Sequence, residues 1–172
     1  MNLRNSSTIL KGMVFDVEQF EVEIGSGWHT FQVIRHPGGV AVLPLHADGT
    51  VTLIRQKRPA VGRKLIELPA GRLDPDESPE NCGRRELLEE TGLVAADFHP
   101  VGIIHSSPGV FDEIIHLFVA TGLTQKTPAP EADEEIEPLR VPLAEALQMA
   151  RQGVITDCKT IAALFRGEPF QP

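Results

Sequence analysis

The sequence predicts an α/β fold, a mixed sheet sandwiched by helices and preceded by a small antiparallel β appendage. Three observations carry that expectation. Two apolar runs, GVAVLPLHA from Gly39 and TVTLIRQKRP from Thr50, read as strands joined at Asp48-Gly49, a tight-turn dipeptide. Phe20, Val22 and Ile24 alternate with polar residues, the period of a half-buried strand. Residues 78–92 carry a helix start and a helix stop, and two further helical patterns close the chain.

Taken in order, residues 9–35 read as short strands: ILKGMVFDV, QFEVEI, a GSG turn, then WHTFQVIRH. So small a sheet is marginal alone and needs its own main domain or a second subunit to pack against. Trp28, the single tryptophan, suits a structural or interface role, with ligand stacking as the alternative. His36-Pro37-Gly38-Gly39 is the expected boundary, making 1–36 an appendage and 37–172 the main domain. Beyond the paired apolar runs, Leu65 to Ala70 (LIELPA) extends toward an acidic stretch. Asp97 to Ser106 and Ile114 to Ala120 read as two more strands. A linker at 127–130 and acid-rich EADEEIE (131–137) precede helices from about Pro142 to Gln152 and from about Asp157 to Phe165.

With 172 residues and 41% hydrophobic content, the chain supports one globular domain, or one with a small appendage. A formal net charge of −8 argues against nucleic acid as a partner. Six of the sixteen Lys and Arg nevertheless lie between Arg55 and Arg72, where an anion would be held. No apolar run approaches the roughly 18 residues of a membrane span. MNLRNSSTILKGMVF also lacks the apolar core of a signal peptide, so a cytoplasmic protein with no membrane partner is expected. Cys82 and Cys158 show no CxxC spacing, and the six histidines no HxxxH, so no zinc site is expected. Cys82 is expected to pack as a small apolar residue.

The chemistry concentrates in Gly71 to Leu93, GRLDPDESPENCGRRELLEETGL. Ser78 is a good N-cap, Pro79 suits the first helical position, and Gly92 suits the C-cap. Glu86 and Glu90 then lie one turn apart on one face, with Glu89 beside them. Like charges at that spacing cost a bare helix roughly a few tenths of a kcal/mol. A hard divalent cation such as Mg²⁺ or Mn²⁺ would offset the repulsion, and a solvated face with Arg–Glu pairs is the alternative.

The full spacing is more specific. Gly71, Glu77, Arg85-Glu86-Leu87, Glu89-Glu90 and Gly92-Leu93 match every fixed position of the Nudix box, and the chain resembles a Nudix hydrolase. The resemblance implies an α/β/α sandwich with a mixed sheet. It also implies that Glu86 and Glu90 are metal ligands, joined by Glu89 and by the Ala70 carbonyl. Glu77 and Arg85 correspond to the family's structural ion pair. Gly83 departs from the alanine-like residue usual there, and close packing against the sheet would explain it.

Two further features point to a subgroup. Arg55-Gln-Lys-Arg58 and Glu67-Leu-Pro-Ala-Gly71 resemble the run found in ADP-ribose and ADP-sugar pyrophosphatases. Pro108, within Ser107-Pro108-Gly109, follows Leu93 by fifteen residues, a spacing similar to that of ADP-ribose pyrophosphatases. On residue type alone, Pro108-Gly109 is a plain turn. The resemblance implies substrate contacts at Arg55, Arg58, Glu67, Arg72, Pro108 and Gly109. One of Arg55 and Arg58 would take phosphate or ribose, and the other a carboxylate such as Glu67. It implies a catalytic base at Glu89 or on the acidic loop, where Glu134 and Glu135 stand ahead of Glu131. A plain solvated loop is the other reading of EADEEIE. Glu113 either supports the metal ligands from behind or caps the following strand. The appendage is expected to be exchanged in a homodimer, with Phe20 and Trp28 as candidate stacking partners for a nucleobase.

The expected activity is therefore Mg²⁺-dependent hydrolysis of ADP-ribose to AMP and ribose 5-phosphate. The alternatives are the same chemistry on another nucleoside diphosphate sugar (ADP-glucose, GDP-mannose) or a non-catalytic Nudix ligand-binding module.

Overall fold

A computed structural model describes residues 1–127 and 135–170. It divides into two compact units, one of Met1–Gly38 with His105–Ile114, the other running Gly39–Ile104 and resuming at Ile115.

The first unit is an antiparallel sheet of β1 (Leu3–Lys11), β2 (Asp16–Ile24) and β3 (Gly27–Arg35), in that order. Gly25, at φ 62°, makes the tight turn between β2 and β3 that GSG signals. The expected strand ILKGMVFDV is instead broken at its centre. Residues 12–15 form the corner between β1 and β2, closed by Gly12 N donating to Phe15 O at 3.0 Å. The apolar residues Met13, Val14 and Phe15 are exposed at the corner, so apolarity there did not signal a strand. β1 starts earlier than expected and is exposed throughout, with Asn5 at φ 53° in a bulge. Residues 105–114 join this unit through a parallel bridge between Ile34 and Phe111.

The second unit is an α/β/α sandwich. Its four-stranded sheet runs in the order β7 (Ala70–Arg72), β4 (Gly39–Pro44), β9 (Ile114–Gln125), β8 (Leu93–His105). β4 is antiparallel to β7 and parallel to β9, so the sheet is mixed. A three-stranded antiparallel sheet, β10 (Ile136–Pro142), β5 (Thr50–Arg58) and β6 (Arg63–Glu67), accompanies it. β4 is buried along its whole length, as expected of a strand covered on both faces. Val40 and Val42 face one way, toward Cys82 and Leu87 of α1 (Pro79–Thr91). Ala41 and Leu43 face the other, toward α2 (Leu143–Arg151) and α3 (Cys158–Gly167). The helices answer with matching stripes: Leu143, Ala146 and Leu147 on α2, and Thr160, Ala163, Leu164 and Gly167 on α3.

Strand β10 was not expected, because its two prolines and the acidic run before it argue against a strand. Among the described residues it lies at the edge of its sheet and pairs only with β5, where proline is tolerated. β8 starts four residues before the expected Asp97, and β9 runs five residues past the expected Ala120.

Gly167 sits where α3 meets the sheet. A methyl group there would overlap Leu43 Cδ2 and lie 3.2 Å from Val119 Cγ2. Gly167→Ala is expected to destabilise the protein by about 1–2 kcal/mol, overpacking outweighing the gain in helix propensity. A shift in the urea midpoint checks this, and an unchanged midpoint would mean that Leu43 repacks freely.

Candidate active site

α1 begins and ends where its local chemistry dictates. The Ser78 hydroxyl accepts from Asn81 N at 3.3 Å, Pro79 occupies the first turn, and Gly92 closes the helix at φ 71°. Two stripes run along its inner side. Gly83 and Leu87 face the sheet, where a methyl on Gly83 would lie 3.0 Å from Phe98 and 3.1 Å from Val42. That close approach explains the glycine. Cys82 is fully buried, and burial foremost pushes its thiol up to about 12, so it packs as an apolar residue.

The second stripe is acidic. Glu86 and Glu90 are only 9% and 2% exposed, one turn apart, and both turn toward the segment leading into β7. Ala70 N donates to Glu90 Oε2 at 2.9 Å. A methyl on Gly71 would overlap the Glu86 carboxylate, so glycine opens the space that Glu86 occupies. Gly71→Ala is expected to displace Glu86 and lower activity about 10- to 100-fold, the range for disturbed ligand orientation. Far-UV circular dichroism should stay as in the wild type.

Arg85 ties this face together. Its Nε and Nη2 make a two-pronged pair with Glu77, both at 3.0 Å, and Nη2 also donates to Arg72 O at 3.3 Å. Nη1 reaches Glu86 Oε1 at 2.7 Å and Glu89 Oε2 at 3.1 Å. The Arg85 guanidinium holds Glu77 at about 2, against its burial and helped by Asp74 N. Arg85 itself is raised well above the usual guanidinium range by Glu77 foremost, then Glu86. A carboxylate held low in the fold stabilises it fully above about 4.5, and that contribution fades as pH falls toward 2. A ¹³C carboxyl titration should place the Glu77 midpoint near 2. Arg85→Gln should move it back toward the ordinary glutamate range.

Among the described residues no three His, Cys, Asp or Glu side chains converge on a common point as a metal cage. Glu86 and Glu89 are gathered instead on Arg85 Nη1. The oxygen chemistry of the Glu86, Glu89 and Glu90 carboxylates suits a hard divalent ion.

Residues 35–163 match the family model of the NUDIX domain. The chain is 35% identical over 159 residues to the ADP-ribose pyrophosphatase of Bacillus subtilis, covering 91% of this chain and 86% of that one. It is 39% identical over 167 residues to the GDP-mannose pyrophosphatase of Cronobacter sakazakii, covering 91% and 85%. The chain belongs to the NUDIX family. A solved ADP compounds hydrolase shares its fold, with a TM-score of 0.85 over 98% of this chain and 92% of its own at 23% identity. Family membership and the pyrophosphatase relatives make this chain a hydrolase, and Nudix hydrolases generally use divalent metals.

The remaining expected site residues are divided between the two units. Arg58 and Glu67 meet each other. Arg58 Nε and Nη2 lie 2.8 Å from the two Glu67 oxygens, and Lys159 Nζ bonds Glu67 as well. Glu67 is 1% exposed, so it is a buried partner and not a substrate contact on the surface. Burial pushes its carboxyl up, but Arg58 and Lys159 outweigh that and leave it below the usual range. Arg58 is raised, chiefly by its bonds to Glu67, with the charges of Glu90 and Asp157 adding to it. Arg55 is half-exposed and 3.4 Å from Glu137, and Arg72 is exposed on β7.

Pro108 and Gly109 belong to the N-terminal unit. Their turn is closed by Val110 N and Phe111 N donating to Ser107 O, and Ile34 N donates to Val110 O at 2.8 Å. Asp112 of the same segment accepts from Arg35 and from His36 N. Glu113 lies 3.5 Å from His36 Nδ1, which accepts from Gly38 N at 3.1 Å. Phe20 is 7% exposed and stacks on Phe31, leaving little ring face for a nucleobase. Trp28 is more open, with the Arg4 guanidinium 4.0 Å above its ring. Glu135 is exposed and paired with Lys64 at 2.9 Å, whereas Glu131 and Glu134 lie outside the described residues. Sequence reasoning passed over Asp157, Lys159 and Thr160. The available signal was an Asp followed three residues later by Thr at a helix start.

Proposed function

We propose that this chain hydrolyses the diphosphate bond of ADP-ribose to AMP and ribose 5-phosphate, with Mg²⁺ as the ion. The observation that carries the reading is the buried acidic stripe of Glu86 and Glu90 closed over by Ala70 and Gly71. The pyrophosphatase names of the relatives support the substrate class. Glu86, Glu89, Glu90 and the Ala70 carbonyl would hold the ion. A divalent ion bound there neutralises the diphosphate and lowers the pKa of a bound water.

The protein's own groups divide the remaining work. Arg85, anchored on Glu77, keeps Glu86 and Glu89 together and fixes the loop that carries Gly71. Glu89 is the more exposed of the box glutamates and takes the proton of the attacking water, with Glu134 and Glu135 as the alternative bases. Arg55, half-exposed and not engaged by Glu67 as Arg58 is, is the cation for a substrate phosphate. Pro108 and Gly109 contribute to substrate selection, Arg72 to phosphate binding, and Trp28 to nucleobase stacking ahead of the covered Phe20. The N-terminal unit mediates a homodimer. Its sheet exposes Leu3, Ile9, Leu10, Ile24, Trp28 and Phe31, apolar surface of the kind an interface covers.

GDP-mannose is the second reading, favoured by the 39% identity to a GDP-mannose pyrophosphatase. Product release with Mg²⁺ across ADP-ribose, ADP-glucose, GDP-mannose, UDP-glucose and dGTP tests both. A preference for ADP-ribose is expected. A preference for GDP-mannose keeps the chemistry and replaces the substrate. No hydrolysis of any would favour a ligand-binding module.

A further inference from the structure

Between β6 and β7 the chain passes from one sheet to the other in two residues, Leu68 and Pro69. Four successive residues at this crossing are held by groups from four elements, β5, α3, β4 and α1. Glu67 is held by Arg58 of β5 and Lys159 of α3. Leu68 N donates to Thr160 Oγ1 of α3 at 2.8 Å. Pro69 O accepts from Val42 N of β4 at 2.9 Å. Ala70 N donates to Glu90 of α1 at 2.9 Å.

The α3 side of this clamp is built from one helix start. Asp157 caps the helix, its Oδ2 accepting from Thr160 N at 3.0 Å and from the Thr160 hydroxyl at 2.6 Å. That commits the hydroxyl proton to Asp157 and turns the oxygen's lone pair to Leu68 N–H. Asp157 Oδ1 accepts from Lys159 Nζ at 2.9 Å, steering it to Glu67. Thr160 is fully buried, so water does not replace its hydroxyl.

We propose that Asp157, Lys159 and Thr160 are positioning residues for the carboxylate site, acting through the Leu68-Pro69 crossing on Ala70 and Gly71. This rests on the reading that Ala70, Glu86, Glu89 and Glu90 hold the divalent ion. The three residues hold the backbone that presents the Ala70 carbonyl and keeps Gly71 clear for Glu86. Outer partners of this kind typically change metal affinity about 10- to 100-fold when removed.

The test is Mn²⁺ binding to the full chain by calorimetry, with circular dichroism to report folding. Thr160→Val is expected to weaken Mn²⁺ binding about 10-fold or more, and Thr160→Ser to restore it. Lys159→Met leaves Arg58 on Glu67 and Asp157 on Thr160, so it is expected to fold, and it should weaken Mn²⁺ binding in the same direction. A folded Thr160→Val with wild-type affinity overturns the proposal, as does a Thr160→Ser that fails to restore it. If Thr160→Val does not fold, Lys159→Met decides, and wild-type affinity in it is the overturning result. A wild type that binds no Mn²⁺, or a Glu90→Gln that binds it equally well, overturns the metal-site reading instead.

Discussion

On the proposed reading of Glu90 as an ion ligand, Glu90→Gln is expected to lower ADP-ribose hydrolysis by more than about 100-fold, beyond the 10- to 100-fold typical of outer partners. The fold should survive. The substitution keeps the shape of a side chain that is 2% exposed, and an amide oxygen can still accept from Ala70 N, now 2.9 Å from Glu90 Oε2. What disappears is the charge, and a neutral amide is a far poorer partner for a hard cation. The measurement is Mg²⁺-dependent turnover alongside a thermal melt. Unchanged turnover would remove Glu90 from the ion site. Loss of both fold and turnover would reassign it to structure.

Glu67→Gln should act in the opposite way, through stability. Its carboxylate is the shared anion between Arg58 and Lys159, and it is 1% exposed. Removing one partner of a buried pair typically costs about 3–5 kcal/mol because the remaining charges lose their compensation. Arg58 keeps a third of its side chain in water and Asp157 retains Lys159, so the lower end, about 3 kcal/mol, is expected. Urea unfolding checks it. A loss below about 1 kcal/mol would mean that the network contributes no more than an exposed ion pair.

These two expectations differ in how far the sequence alone could reach them. The acidic face that carries Glu90 is legible in the chain. A cap at Ser78, a stop at Gly92 and the spacing of Glu86, Glu89 and Glu90 involve neighbours within a few turns of one helix. The same holds for the turns at Gly25 and Asp48-Gly49 and for the doubly buried run of β4. The Glu67 network is only half legible there. A carboxylate partner for an arginine was foreseeable from Arg58 and Glu67, nine residues apart, but Lys159 lies 92 residues away.

What the sequence by itself determined is the chemistry-bearing helix, the apolar strands and the family, since capping, periodicity and spacing are local. Tertiary structure decided which charges pair with one another. It buried Glu67 with Arg58 and Lys159, gathered Glu86 and Glu89 on Arg85, and assigned Pro108 and Gly109 to the N-terminal unit. It also made an edge strand of the proline-bearing residues of β10. The physical reason is common to all of these. A charge, a carbonyl or an edge acquires its role from the group that packs against it, and that group is set by the folded path of the chain.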